Sequence, residues 1–164
     1  MGPIPNIRIR FATVSDAPAI ASLLSESFAE YEALYTLAGY AATAITSERI
    51  ATRITEGPVW VAGRDEIIIG TVSVLRKGSS LYIRGMAVLP AARGERVGEL
   101  LLTHIEKFAI GEGCQRLFLS TTPFLDRAIR LYQSFGFRRT SEGPHDLFGT
   151  SLFTMEKLLP AGTQ

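Results

Sequence analysis

The chain has one cysteine, Cys114, among its 164 residues. That excludes an internal disulfide and suits a reducing compartment. One Cys and two distant His, His104 and His145, give no zinc-ligand spacing, so no metal is expected. Net charge is nearly absent, with 17 basic residues against 16 acidic ones. Phosphate backbones reward a strongly basic surface, so no nucleic-acid partner is expected. Long apolar runs are lacking too. The longest uncharged stretch, Ala33 to Ser47, is 15 residues and contains Thr, Ser, Tyr and Gly. It is too short and too polar to span a bilayer, so no membrane partner is expected. Met1 to Arg10 lacks the apolar segment of a leader, and Asn6 breaks the myristoylation pattern. Cytoplasm is the expected location.

What is present is ordinary for a globular domain: 46% hydrophobic and 20% charged residues. The length favours one domain, expected over 7–159 with short tails at 1–6 and 160–164. The small net charge hides a gradient. Arg84 to Arg139 holds nine basic residues against five acidic; the remainder holds eight against eleven. Chance clustering on solvated faces is one reading. A polyanionic ligand on the basic part is the other.

Ile7 to Phe11 alternates as a short strand. Ser15 and Pro18 open a helix with Ser15 as its cap, and apolar residues recur at helical spacing to Phe28. Glu30 to Thr46 is less periodic and reads as helix, loop or both. Ser47 to Glu56 reads as a helix that Gly57-Pro58 ends. Val59 to Ala62, Ile67 to Leu75 and Leu81 to Leu89 read as three strands of an antiparallel meander. Arg93 to Ile110 is helical and Leu117 to Ser120 a strand; Pro123 precedes an amphipathic helix with Ala128, Leu131, Tyr132 and Phe135, which Gly136 ends. Phe137 to Thr140 and Leu152 to Leu158 return to strand. The pattern makes a mixed α/β (α+β) domain.

The junction Val88 to Gly98 links a strand to a helix. Such a junction exposes unpaired backbone N–H groups and the positive end of the helix dipole, where a phosphate or pyrophosphate fits. Gly94 and Gly98 remove side chains where a ligand or the sheet must come close, and Arg93 and Arg96 add positive charge. An ordinary strand–helix loop is the alternative. No Walker A lysine follows, and GxGxxG is absent.

Arg93-Gly94-Glu95-Arg96-Val97-Gly98 resembles the acetyl-CoA signature of the GCN5-related N-acetyltransferase superfamily, Gln/Arg-x-x-Gly-x-Gly/Ala, with Arg96 in place of the middle Gly. A second signature, Asn-x-x-Ala-x-x-Leu-Tyr-x-x-x-Gly-Phe, is matched from Leu125 to Phe137 except that Leu125 replaces the Asn. The resemblance covers about Arg8 to Leu159. It implies a mostly antiparallel central sheet flanked by helices, with a splayed strand pair for acetyl-CoA. It implies direct transfer of an acetyl group to an amine. In such proteins the N–H groups of the turn hold the CoA pyrophosphate. Here these belong to Arg93, Gly94, Glu95, Arg96, Val97 and Gly98. The backbone of Met86, Ala87 and Val88 would pair with the pantetheine arm, with Leu125 and Ala128 on its other side. Tyr132 matches the family's general-acid tyrosine, which protonates the leaving thiolate. Core packing of its ring is the bland alternative.

Many relatives carry a glutamate base on the strand that is here Leu81 to Val88, and this strand has no acid. Glu30 and Glu32, in the segment that forms the acceptor pocket in relatives, and His145, in the loop before the last strand, are the candidate bases. Phe28 to Tyr35 mixes aromatics with two carboxylates and would face an amine acceptor. The gradient then places basic residues near CoA and acidic ones near the amine. Cys114 has no visible base and reads as a buried thiol, His104 as structural, and Trp60 as core. The expectation is an acetyl-CoA-dependent N-acetyltransferase whose acceptor is an unidentified small molecule or peptide. Two alternatives stay open: a non-catalytic acyl-CoA-binding or sensing module, and an interaction domain that binds no CoA. A homodimer also stays open, since dimers are frequent among such proteins.

Overall fold

Neighbours in sequence are neighbours in space through the first half of the sheet. A computed structural model describes residues 6–160. Most of the two expected tails therefore lies outside the described residues. So does half of the segment Met1 to Arg10, read as neither leader nor lipidation site. The elements run β1 (Arg8–Phe11), α1 (Ala17–Phe28), α2 (Leu37–Thr43), α3 (Ser47–Glu56), β2 (Val59–Arg64), β3 (Ile67–Lys77) and β4 (Ser80–Val88). Then come α4 (Val97–Gly111), β5 (Arg116–Thr121), α5 (Asp126–Ser134), β6 (Arg138–Arg139), β7 (His145–Leu147) and β8 (Thr150–Leu158). The sheet order is β1-β2-β3-β4-β5-β8-β6, with β7 also paired to β8. Every pairing is antiparallel except β4 with β5. That parallel pair requires a crossover, which α4 supplies.

The sheet has a core on each face. Toward α4 and α5 it buries Trp60, Val72, Leu81, Ile83, Leu101, Leu102, Ile105 and Leu117. Toward α1 and α3 it buries Ile20, Leu23, Leu24, Ile50, Val61 and Ala87. Alternation along β4 puts Leu81 and Ile83 on the α4 face. Strict period two would put Ala87 there as well, yet Ala87 packs on the α1 face. A bulge explains the reversal. Ser73 pairs with Arg84 and Thr71 with Ala87, so two residues, Gly85 and Met86, oppose one. Gly85 sits at φ +63, a left-handed conformation that glycine adopts without Cβ strain.

Local chemistry sets the boundaries. Ser15 is not the cap of α1; it lies inside a short 3-10 turn. The entry is tied instead by Asp16, whose carboxylate accepts from Thr13 N–H (2.8 Å) and from Arg10 (2.7 Å). Glu30 to Thr46 resolves into a 3-10 stretch, Ala29–Leu34, and α2. Thr36 caps α2 and also donates to Phe148 O (2.7 Å), which fixes that helix to the last hairpin. The helix expected from Arg93 starts at Val97, because Gly94 and Arg96 have φ of +88 and +66. The helix expected after Pro123 runs from Asp126, and β7 has no counterpart in the sequence reading. Trp60 and Cys114 are buried as expected, and His104 packs edge-on against Trp60 at 5.1 Å.

Candidate active site

β4 and β5 part company after three register pairs, Ser80–Arg116, Leu81–Leu117 and Tyr82–Phe118. Both strands continue, β4 to Val88 and β5 to Thr121. The divergence opens a cavity of about 660 Å³, in the size range of ligand clefts. Its narrow end lies at Tyr82 and Arg84. Its wide end lies at the turn before α4.

The wide end is lined by Arg93, Gly94, Arg96, Val97 and Gly98. The N–H groups in the first turn of α4 have no intrahelical acceptor and point their partial positive charge this way. Arg96, which stands in place of the signature's middle glycine, holds a left-handed conformation. Its side chain turns back to Glu99, 2.8 Å away. Gly98 serves packing: an added Cβ would lie 2.6 Å from Leu131 Cδ2 and 3.4 Å from Met86 Cε. Glu95 does not line the cavity, and its carboxylate pairs with Arg64.

Met86, Ala87 and Val88 form one wall, and Leu125, Ala128, Leu131 and Tyr132 another. Tyr132 is 8% exposed, and burial pushes its hydroxyl up to about 12, with a smaller push from Tyr35. Burial raises Tyr35 as well. Tyr35 stacks edge-on against Phe124 at 4.8 Å. The neighbouring Thr122 Oγ1 is buried with no hydrogen bond of ordinary geometry among the described residues. The Tyr35 and Tyr132 hydroxyls therefore stay protonated in the cavity lining, with Thr122 and Thr43 beside Tyr35.

The three candidate bases do not meet there. Glu30 pairs with Arg93 and, at 3.3 Å, with Arg127, and it is not part of the lining. Glu32 is exposed and outside the lining. His145 is exposed on β7, its Nε2 at 2.9 Å from Thr154 Oγ1, and also outside the lining. Tyr31 and Tyr35, from the same segment as Glu30, do line the cavity.

A family model described as the acetyltransferase (GNAT) family matches residues 18–137. The chain belongs to this family. The IAA acetyltransferase of Azospirillum brasilense is 35% identical over 102 residues, 60% of this chain and 66% of that protein. The thialysine N-epsilon-acetyltransferase of Bos taurus is 29% identical over 66 residues, 40% of this chain and 39% of that protein. The matched stretches thus span less than two thirds of either relative. Among solved structures, the PaiA N-acetyltransferase of Thermoplasma acidophilum in complex with coenzyme A has a TM-score of 0.79 at 19% identity. It covers 93% of this chain and 99% of its own. The putative acetyltransferase YncA of Salmonella typhimurium with acetyl-CoA has a TM-score of 0.74 at 22% identity, covering 97% of each chain. At such identities the likeness is one of fold.

This GNAT domain carries two cavity residues that the sequence reading missed, Arg53 and Arg84. The signal for Arg53 was available. It sits between Ile50 and Ile54 on the inward stripe of α3, where a charge is out of place. Glu30 is bound to the arginines of the wide end, and the narrow end is cationic.

Proposed function

We propose that the protein transfers an acetyl group from acetyl-CoA directly to an amine. The observation that carries this reading is the opening between β4 and β5, bounded by a helix-terminal anion site and by the buried Tyr132 hydroxyl. The fit to acetyl-CoA rests on three features. The turn Arg93–Gly98 offers N–H groups and two arginines to a pyrophosphate. Beyond Tyr82, β4 has no register partner on its β5 side, so its backbone is free to pair with an amide-bearing arm. Residues of both features line one continuous cavity.

Acetyl-CoA supplies an activated acyl group and a thiol leaving group. The chain's residues do the rest. The β4 bulge directs backbone groups at the thioester carbonyl. Tyr132 donates its proton to the departing sulfur and regains one from solvent, a role its raised pKa keeps available at neutral pH. The amine attacks in its neutral form and loses its surplus proton to solvent, since no carboxylate or imidazole lines the cavity among the described residues except Glu99 at the wide end. The reduced Cys114 suits a cytoplasmic setting.

Acetyl-CoA at 100 times its Kd should stabilise the protein by about 2.7 kcal/mol, against no shift from a nucleotide of similar charge. Thiol release on adding an amine panel then separates an enzyme from a binding module. A missing shift defeats the reading outright.

A further inference from the structure

Two guanidinium groups line the narrow end of the cavity, and among the described residues a carboxylate bonds only one of them. Arg84 reaches Glu56 with one nitrogen at 3.1 Å, while its Nε is buried with no hydrogen-bond partner among the described residues. The Arg53 guanidinium has neither an ion-pair partner nor a hydrogen bond among the described residues. Burial, and then Arg84, push it down to about 10, far below an ordinary guanidinium. Arg49 opposes it further and only Tyr82 and Glu56 favour its charge. Two half-buried cations, only one of them bonded to an anion, are electrostatically incomplete.

CoA phosphates do not complete them. The turn that suits phosphates lies at the other end of β4, beyond Val88, and Arg84 is four residues back along the strand. That is about 13 Å at ordinary strand rise. The reacting centre proposed above lies between the two ends. What remains to face Arg53 is the acceptor.

We propose that Arg53, supported by Arg84, is a carboxylate subsite, and that the acceptor is a small amine bearing a carboxylate, of the amino-acid class. This rests on the acetyltransferase reading and narrows it. Arg53 presents a planar fork suited to two carboxylate oxygens. The bulge at Gly85 makes room for that fork against the β4 backbone, because an added Cβ there would lie 2.6 Å from Arg53 Nη1. Tyr31, Tyr35 and Leu147 line the same cavity and offer an apolar surface to the rest of a small acceptor.

The test compares free amino acids with their methyl esters and with simple monoamines and polyamines, by thiol release from acetyl-CoA. Free amino acids should be turned over, with kcat/KM falling about 10- to 100-fold on esterification. Arg53→Gln should impose a similar loss on the acid and little on the ester, so that the two converge. Arg53→Lys should recover part of the loss. Acetyl-CoA should still shift the Tm of Arg53→Gln, which shows the variant folded. Equal use of acids and esters, preference for polyamines, or no turnover of any carboxylate-bearing amine would overturn the subsite. Absence of an acetyl-CoA shift in the unmodified protein would instead overturn the underlying acetyltransferase reading.

Discussion

The Arg53 guanidinium occupies the space that a side chain on Gly85 would fill, with Nη1 2.6 Å from the position of the missing Cβ. One residue's absence of a side chain thus sets where another's charge can lie. Gly85→Ala adds a methyl at φ +63 and displaces Arg53. The left-handed strain costs about 1–2 kcal/mol, so the Tm should drop by several degrees in calorimetry. Turnover of a carboxylate-bearing acceptor should fall further than stability does. Unchanged kinetics would mean that Arg53 is free to sit elsewhere.

Tyr132→Phe removes one buried hydroxyl and leaves the ring contact with Phe137, 5.8 Å between centroids. General acid catalysis is worth on the order of 10²–10⁴ in rate. Turnover should therefore drop at least a hundredfold in steady-state assays, while KM for acetyl-CoA moves less than about threefold. A variant as fast as the parent would remove Tyr132 from the chemistry.

The pH profile carries its own signature. Tyr132 is held protonated up to about 12, so no acid is lost across the neutral and mildly alkaline range. Rate should rise with pH as the acceptor amine deprotonates, then level. A falling limb below pH 10 that disappears in Tyr132→Phe would contradict the raised value.

Glu30 neutralises Arg93 at the wide end and also meets Arg127. A pyrophosphate arriving at the turn competes with it. Glu30→Gln should tighten acetyl-CoA binding several-fold by calorimetric titration and leave turnover within about twofold. A large loss of turnover would restore Glu30 as a base.

Asp16 is lowered to about 2, chiefly by the Arg10 hydrogen bond. A carboxylate with a depressed folded-state pKa stabilises the fold above its unfolded value, near 3.9. That contribution disappears as pH falls from there through 2. Arg10 is half exposed, which limits the effect to about 1 kcal/mol. Asp16→Asn should lose that much at pH 7 and match the parent near pH 2 in denaturant titrations.

The meander, both long helices and the strand–turn–helix junction were readable because each depends on short-range pattern. Ile67 to Leu75 and Val97 to Phe108 show their periods without help. The start of α4 was misplaced by four residues, since nothing in the letters Arg-Gly-Glu-Arg says that Arg96 will take a positive φ. The strand β7 was missed because it exists only through pairing with β8. The site divided along the same line. Tyr132 and the Arg93–Gly98 turn are contiguous motifs. Arg53, Arg84 and Gly85 come together only when α3 packs on the bulge of β4, 32 residues downstream of Arg53 at Gly85.

The divergence of β4 from β5 has a cost that falls on the empty protein. It places an unpaired strand edge inside the sheet rather than at its border, with hydrogen-bonding groups facing a gap. Natural sheets shield such edges because they invite stray strands. Here the shield is the ligand itself, a temporary rung between the two halves of the sheet. Concentrated protein stripped of nucleotide thioester should accordingly self-associate more readily than saturated protein, with amide exchange fastest along Ile83 to Val88.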